Sequence, residues 1–190
     1  MRITFLGSGI ERETTKVQGL EITAVARAIR PRFDTLVFGG SRVGLMGAFA
    51  SAFSACGGHV VSVLPHWLEA HGLAYAGGET IRCDDLAERK RLMFDRVDAV
   101  ICYPGGIGTW DELFDLLTRH AVDSAVESGS TCPPIYLYNW EKFYAPLLLQ
   151  IEIALESGLI HPGAVAMIRP FESVDALSRL LAAEPGVAAP

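Results

Sequence analysis

Ala99-Val100-Ile101-Cys102-Tyr103-Pro104-Gly105-Gly106-Ile107-Gly108-Thr109-Trp110-Asp111-Glu112 is the stretch that decides the fold of this chain. Residues 99–102 form an apolar run that reads as a buried strand, and the residues from Thr109 onward read as a helix, so a glycine loop joins strand to helix. Glycines there let backbone N–H groups approach an anion with no Cβ in the way, and the first helical turn adds unpaired donors at the positive end of a dipole. The backbone from Gly105 to Thr109, with Gly106 and Gly108 between, is therefore the expected phosphate cradle. Glu112 stands one turn further on, where it repels an anion. A carboxylate at that point makes sense if it serves chemistry beside the phosphate.

Working outward, strand and helix patterns alternate. Residues 3–6 read as a first strand ending in Gly7-Ser8-Gly9, and 17–30 as a helix stopped by Pro31. Strands follow at 36–38, 60–64, 80–83, 99–102 and 135–137. Helices are expected at 45–56, 85–96, from Thr109 onward, at 140–157 as one long amphipathic helix, and at 174–182. Residues 65–78 read as a loop with two histidines, and 123–131 as a polar segment. Continuous apolar strands separated by helices predict an α/β fold: a single Rossmann-like domain over 1–182, with a mostly parallel sheet and helices on both faces. Its ligand loops should sit at the carboxyl ends of the strands. The Ala/Gly/Pro tail, 183–190, is expected to be disordered.

Composition narrows the function. Of 190 residues, 50% are hydrophobic and 20% charged, enough for one sizeable core, and the formal net charge of -6 argues against a nucleic-acid partner. The four cysteines, Cys56, Cys83, Cys102 and Cys132, have no C-x-x-C spacing and read as thiols of a reducing compartment. The start of the chain is too short an apolar stretch for a signal peptide and no segment is long enough to span a bilayer, so a soluble cytoplasmic protein without membrane association is expected. His59, His66, His71, His120 and His161 lack ligand spacing, and no metal is assigned.

Two glycine loops, 39–47 and 104–109, each lie between a strand and a helix, but neither spells G-x-G-x-x-G and neither has an acid suitably placed about 20 residues beyond for a ribose. A dinucleotide site is disfavoured, and without G-K-[ST] a P-loop is excluded. Glu112 has a purely local alternative, since Thr109-x-x-Glu112 also spells a capping box. Arg89 has one too: it can pair at i,i+4 with Asp85 on a solvated face. Yet Leu86, Met93 and Val97 mark the buried stripe of that helix and put Arg89 on its edge, where an arginine needs a partner.

These residues carry a resemblance. Gly39-Gly40-Ser41-Arg42-Val43-Gly44-Leu45-Met46-Gly47, then Glu88-Arg89-Lys90, then Pro104 to Glu112 resemble the Lonely Guy (LOG) family, often mislabelled lysine decarboxylase, in order and from Ile3 to about Leu181. Tyr138 to Tyr144 and Glu156 to Ile160 extend the match. The resemblance implies hydrolysis of the N-glycosidic bond of a nucleoside 5′-monophosphate, a cytokinin nucleotide or AMP, to free base and ribose 5-phosphate. It implies a homodimer at least, and the hydrolysis needs no cofactor. The family's catalytic pair falls on Arg89 and Glu112. Substrate-binding positions are then expected at Gly105, Gly106, Gly108 and Thr109, in the other loop at Gly39, Gly40, Ser41 and Gly44, and at Lys90 and Ser8. Ser41 replaces a usual third glycine, Asp85-Leu86-Ala87-Glu88-Arg89-Lys90 departs from the usual Asp-Met-His-x-Arg-Lys, and 121–133 is longer than usual, suggesting a lid or an altered subunit edge. Two rival readings are a nucleosidase for another base and a carrier holding a phosphorylated ligand without turnover, as molybdenum-cofactor carriers of similar fold do.

Overall fold

The computed structural model describes residues 1–10, 13–126 and 133–184. Seven strands, β1 (Arg2–Leu6), β2 (Thr35–Phe38), β3 (His59–Pro65), β4 (Glu79–Cys83), β5 (Ala99–Cys102), β6 (Ile135–Tyr138) and β7 (Ile168–Phe171), form one sheet in the order β4-β3-β2-β1-β5-β6-β7. Every pairing is parallel. The expected Rossmann-like architecture is observed, with "mostly parallel" sharpened to wholly parallel among the described strands. The chain winds outward from β1 to β4, then returns to the other side of β1 for β5. That reversal opens a crevice at the carboxyl ends of β1 and β5, where open α/β sheets bind ligands.

Alternation along each strand feeds two cores. Ile3, Phe5, Phe38, Ile101 and Tyr103 face one layer with residues of α1 (Glu13–Ile29), α2 (Gly44–Ala55) and α7 (Val174–Ala183). Leu6, Val37, Val63, Val100 and Cys102 face the other, against α4 (Leu86–Met93), α5 (Ile107–Val126) and α6 (Ala145–Glu156). Burial on both faces explains why the strands read as continuous apolar runs.

Several boundaries differ from expectation. The loop at 65–78 contains a one-turn helix, α3 (His66–Ala70), too short to show periodicity. Helix α4 stops at Met93 because Phe94 leaves helical geometry and Arg96 takes φ 51°. The single helix expected at 140–157 is a 3₁₀ turn, Trp140–Lys142, followed by α6; Glu141 and Lys142 have φ of 45° and 64°, and Asn139 Oδ1 accepts the Tyr144 N–H at 2.8 Å. Strand β7 was not expected, because Arg169 and Pro170 interrupt its apolar run; proline is tolerated there because β7 is an edge strand. Leu86, expected on the buried stripe, is 53% exposed. Residues 123–126, expected in a polar segment, continue α5, and Ala183, expected in the tail, ends α7. The remainder of the segment at 127–132 and the tail at 185–190 lie outside the described residues.

Candidate active site

The crevice is built from the loops after β1 and β5 and the start of α2 and α5. A cavity of about 230 Å³ is lined by Gly7, Ser8, Gly9, Ile10, Met46, Arg89, Gly106, Ile107, Gly108, Thr109 and Glu112. Helix α5 begins at Ile107, two residues earlier than expected, and Trp110 N–H makes an early intrahelical bond to Gly106 O at 3.0 Å. The N–H groups of Ile107, Gly108 and Thr109 precede it, so they have no intrahelical acceptor and belong to the cavity wall. A Cβ at Gly106 or Gly108 would meet nothing, so the wall is open for close approach of a ligand.

The earlier start of α5 bears on the capping-box reading of Glu112. Thr109 sits inside the first turn and does not cap it, so the capping-box alternative gives way. The carboxylate instead accepts from Arg89, Nη1 to Oε1 at 2.9 Å, with side chains 13% and 10% exposed. Burial pushes the Glu112 carboxyl above its ordinary value, against the opposing charge and hydrogen bond of Arg89. Among the described residues Oε2 makes no hydrogen bond to protein.

Arg89 rises from α4, whose N-terminus is fixed by Asp85: its Oδ1 accepts Glu88 N–H at 2.7 Å, while Glu88 Oε2 accepts Asp84 N–H at 2.9 Å. Asp85 is thus the cap and not the partner of the Arg89 guanidinium. The guanidinium donates to Glu112, to Gly39 O at 3.0 Å and to Val63 O at 3.3 Å, joining α5 to the ends of β2 and β3. Gly39 makes room for the guanidinium, since a Cβ there would land on Arg89 Nη2 and displace it.

The other expected binding residues are placed differently. Gly39, Gly40, Ser41 and Gly44 do not line the cavity; they shape its support. Gly44 has φ +65°, and a Cβ on it would lie 2.6 Å from Ser8 O. That carbonyl accepts Leu45 N–H at 2.8 Å and Met46 N–H at 3.4 Å, so the start of α2 is docked on the β1 loop and these two donors are spent. Ser41 Oγ accepts Val43 N–H at 3.3 Å, within its own loop. Gly105 is not among the lining residues; it packs against the Thr109 side chain, which leaves no room for a Cβ. Lys90 points away, to Asp111 and Asp115 at 2.9 and 3.6 Å. Ser8, Gly106, Gly108 and Thr109 do line the cavity, with Ile107 inside the expected Gly105–Thr109 backbone, and so do Ile10 and Met46, which sequence reasoning missed. The apolar pattern alone gives such residues no signal beyond core packing. No group of three or more histidine, cysteine or acidic side chains able to hold a metal occurs among the described residues.

A family model described as "Possible lysine decarboxylase" matches residues 46–181. The cytokinin riboside 5′-monophosphate phosphoribohydrolase of Mycobacterium tuberculosis is 39% identical over 166 residues, covering 86% of each chain. The chain belongs to the LOG family. A second LOG relative, the enzyme of the same name from Rhodococcoides fascians, is 38% identical over 76% of this chain and 78% of its own. Among solved structures, the molybdenum cofactor binding protein of Rippkaea orientalis superposes with a TM-score of 0.64 at 18% identity, over 95% of this chain and 94% of that one. At that identity the likeness is one of fold, and it does not carry the carrier reading over to this LOG protein.

Proposed function

We propose that the protein hydrolyses the N-glycosidic bond of a nucleoside 5′-monophosphate, giving free base and ribose 5-phosphate. The observation that carries this is the largely buried Arg89–Glu112 pair set beside an open helix N-terminus in one small cavity. In this reading the N–H groups at the start of α5 hold the 5′-phosphate, which places C1′ of the ribose near Glu112. As the C1′–N bond breaks, its electron pair goes to the base and positive charge grows on the sugar. The Glu112 carboxylate stabilises that charge and takes a proton from the water whose oxygen bonds to C1′; the departing base is protonated from solvent or from Glu112. Arg89 orients the carboxylate and favours its ionised form against the cost of burial. Cytokinin nucleotides and AMP are the first substrates to try, because the relatives are named for the former. Chromatography of a panel of nucleoside 5′-monophosphates after incubation, looking for free base, tests the reading.

Arg89→Ala is expected to lose at least about 100-fold in kcat/KM while the chain still folds, because three acceptors lose one donor fork. Arg89→Lys is not expected to restore it, since one ammonium cannot reach Glu112, Gly39 and Val63 together. Steady-state kinetics with circular dichroism checks both; a near-normal rate for the lysine variant would mean that charge alone matters.

The reading includes a homodimer. Trp110, Phe114 and Phe143, each at least 40% exposed, line an apolar cavity of about 350 Å³ between α5 and α6, on the helix that carries Glu112. Large exposed apolar patches mark association surfaces. Light scattering is expected to give twice the chain mass of 20.5 kDa, reduced to one chain by Phe114→Asp; a wild-type monomer at micromolar concentration would contradict it. No described helix is long and apolar enough to cross a membrane, and the buried free thiols Cys83 and Cys102 support a reducing, cytoplasmic setting.

A further inference from the structure

Two consecutive residues of α4 meet two consecutive residues of α5. Arg89 pairs with Glu112, and Lys90 pairs with Asp111 through both carboxylate oxygens, at 3.0 Å to Oδ1 and 2.9 Å to Oδ2. The second rung continues: Lys90 lies 3.6 Å from Asp115, and Asp115 Oδ2 lies 2.7 Å from Arg119 Nε one turn along α5. The Lys90 side chain is only 16% exposed, unlike a surface lysine, and it does not line the cavity. Its ammonium is held above its ordinary value, first by the hydrogen bond to Asp111, so it stays charged wherever the enzyme works.

We propose that Lys90 is a positioning residue for the reaction: with Asp111 it locks α4 to α5 so that Arg89 meets Glu112, and it supplies part of the electrostatic field at that carboxylate. This rests on the hydrolase reading above. A single rung between two helices leaves them free to pivot, whereas two adjacent rungs fix both spacing and register, and sub-ångström placement matters for a reacting carboxylate. Among the described residues, the charged groups that act on Glu112 come from two helices. Arg89 and Lys90 come from α4 and Asp111 from α5; from β5, Cys102 is a thiol pushed up to about 12 by burial and so neutral at working pH. Lys90 favours the ionised Glu112 and Asp111 opposes it.

The two members of the rung therefore have opposite electrostatic effects although they share one structural role, and this separates the two. Glu112 acts as a carboxylate, so kcat/KM falls as pH drops through its raised pKa. In Lys90→Met the acid limb should move to higher pH, and in Asp111→Asn to lower pH. In both, kcat should fall about tenfold or more, with KM changed less. Lys90→Arg, which keeps the charge and can reach both acids, should retain most of the wild-type profile.

The experiment is a pH profile of base release from AMP, or from whichever monophosphate the panel shows to be cleaved, for the wild type and these three variants. Opposed shifts of the acid limb support the proposal. Shifts in the same direction, or no shift, overturn it and leave a stability bridge only. A rise in KM in Lys90→Met with an unmoved limb also overturns it, in favour of direct contact with the phosphate. If Lys90→Met does not fold, the direction of the Asp111→Asn shift decides alone. A wild type that releases no base from any monophosphate counts against the hydrolase reading itself, an outcome distinct from any of these.

Discussion

Glu112→Gln is expected to lower kcat by about 10³-fold while nucleotide binding stays within about tenfold. The amide oxygen can still accept from Arg89 Nη1, so the link between α4 and α5 survives, and the substitution removes little besides the charge. That charge has two tasks in the proposed reaction, stabilising a ribosyl cation and taking a proton from water, and an amide does neither. A merely structural carboxylate predicts the reverse pattern. Stability has its own sign here. Because burial raises the Glu112 carboxyl above its ordinary value, holding it ionised costs stability as pH rises through that value, and the neutral amide relieves the cost. The Gln variant should therefore melt no lower than about the wild type at neutral pH. An active Glu112→Gln protein with a lowered melting temperature would remove Glu112 from the chemistry. Isothermal titration, steady-state rates and a melting curve on one preparation check all three quantities.

The phosphate is the second large effect. A nucleoside 5′-monophosphate should be cleaved with a kcat/KM about 10³-fold or more above that of the same nucleoside without phosphate. Two or three charge-assisted hydrogen bonds from the N–H groups of Ile107, Gly108 and Thr109, at about 1.5–3 kcal/mol each and not fully additive, account for that size. Part of the loss should appear in kcat, because binding energy from the non-reacting phosphate also aligns the glycosidic bond with Glu112. Among the described residues that line the cavity, these donors come from the N-terminus of α5. At the start of α2 the N–H groups of Leu45 and Met46 are given to Ser8 O. Parallel assays of AMP and adenosine read the effect, and equal kcat/KM values would refute the phosphate cradle.

The sheet was legible because its strands are buried on both faces and so appear as uninterrupted apolar runs, and the crevice because Gly106, Ile107 and Gly108 follow such a run directly. What escaped was set by tertiary contacts. Strand β7 carries Arg169 and Pro170, which only an edge position allows, and no local pattern reveals that the position is an edge. The kink at Glu141 and Lys142 depends on Asn139 capping Tyr144 from five residues away. Thr109-x-x-Glu112 spells a cap and a catalytic loop equally well; the choice turns on α5 beginning at Ile107 and on Arg89, 23 residues distant, reaching Glu112. Gly39 was legible as a loop glycine expected to bind substrate, but not as the place where a missing Cβ makes room for a guanidinium. Lys90, expected at a substrate-binding position, has its ammonium on Asp111 and Asp115.

Binding and turnover measured on the same sample test the central claim most directly. The protein, mixed with a nucleoside 5′-monophosphate at saturation, is predicted to release free base and ribose 5-phosphate in equal amounts over many turnovers, in a reaction lost in Glu112→Gln although the variant still binds the nucleotide. Saturable binding of monophosphates by the wild type with no base released from any of them would contradict it, and would make this chain a holder of a phosphorylated ligand and not a hydrolase.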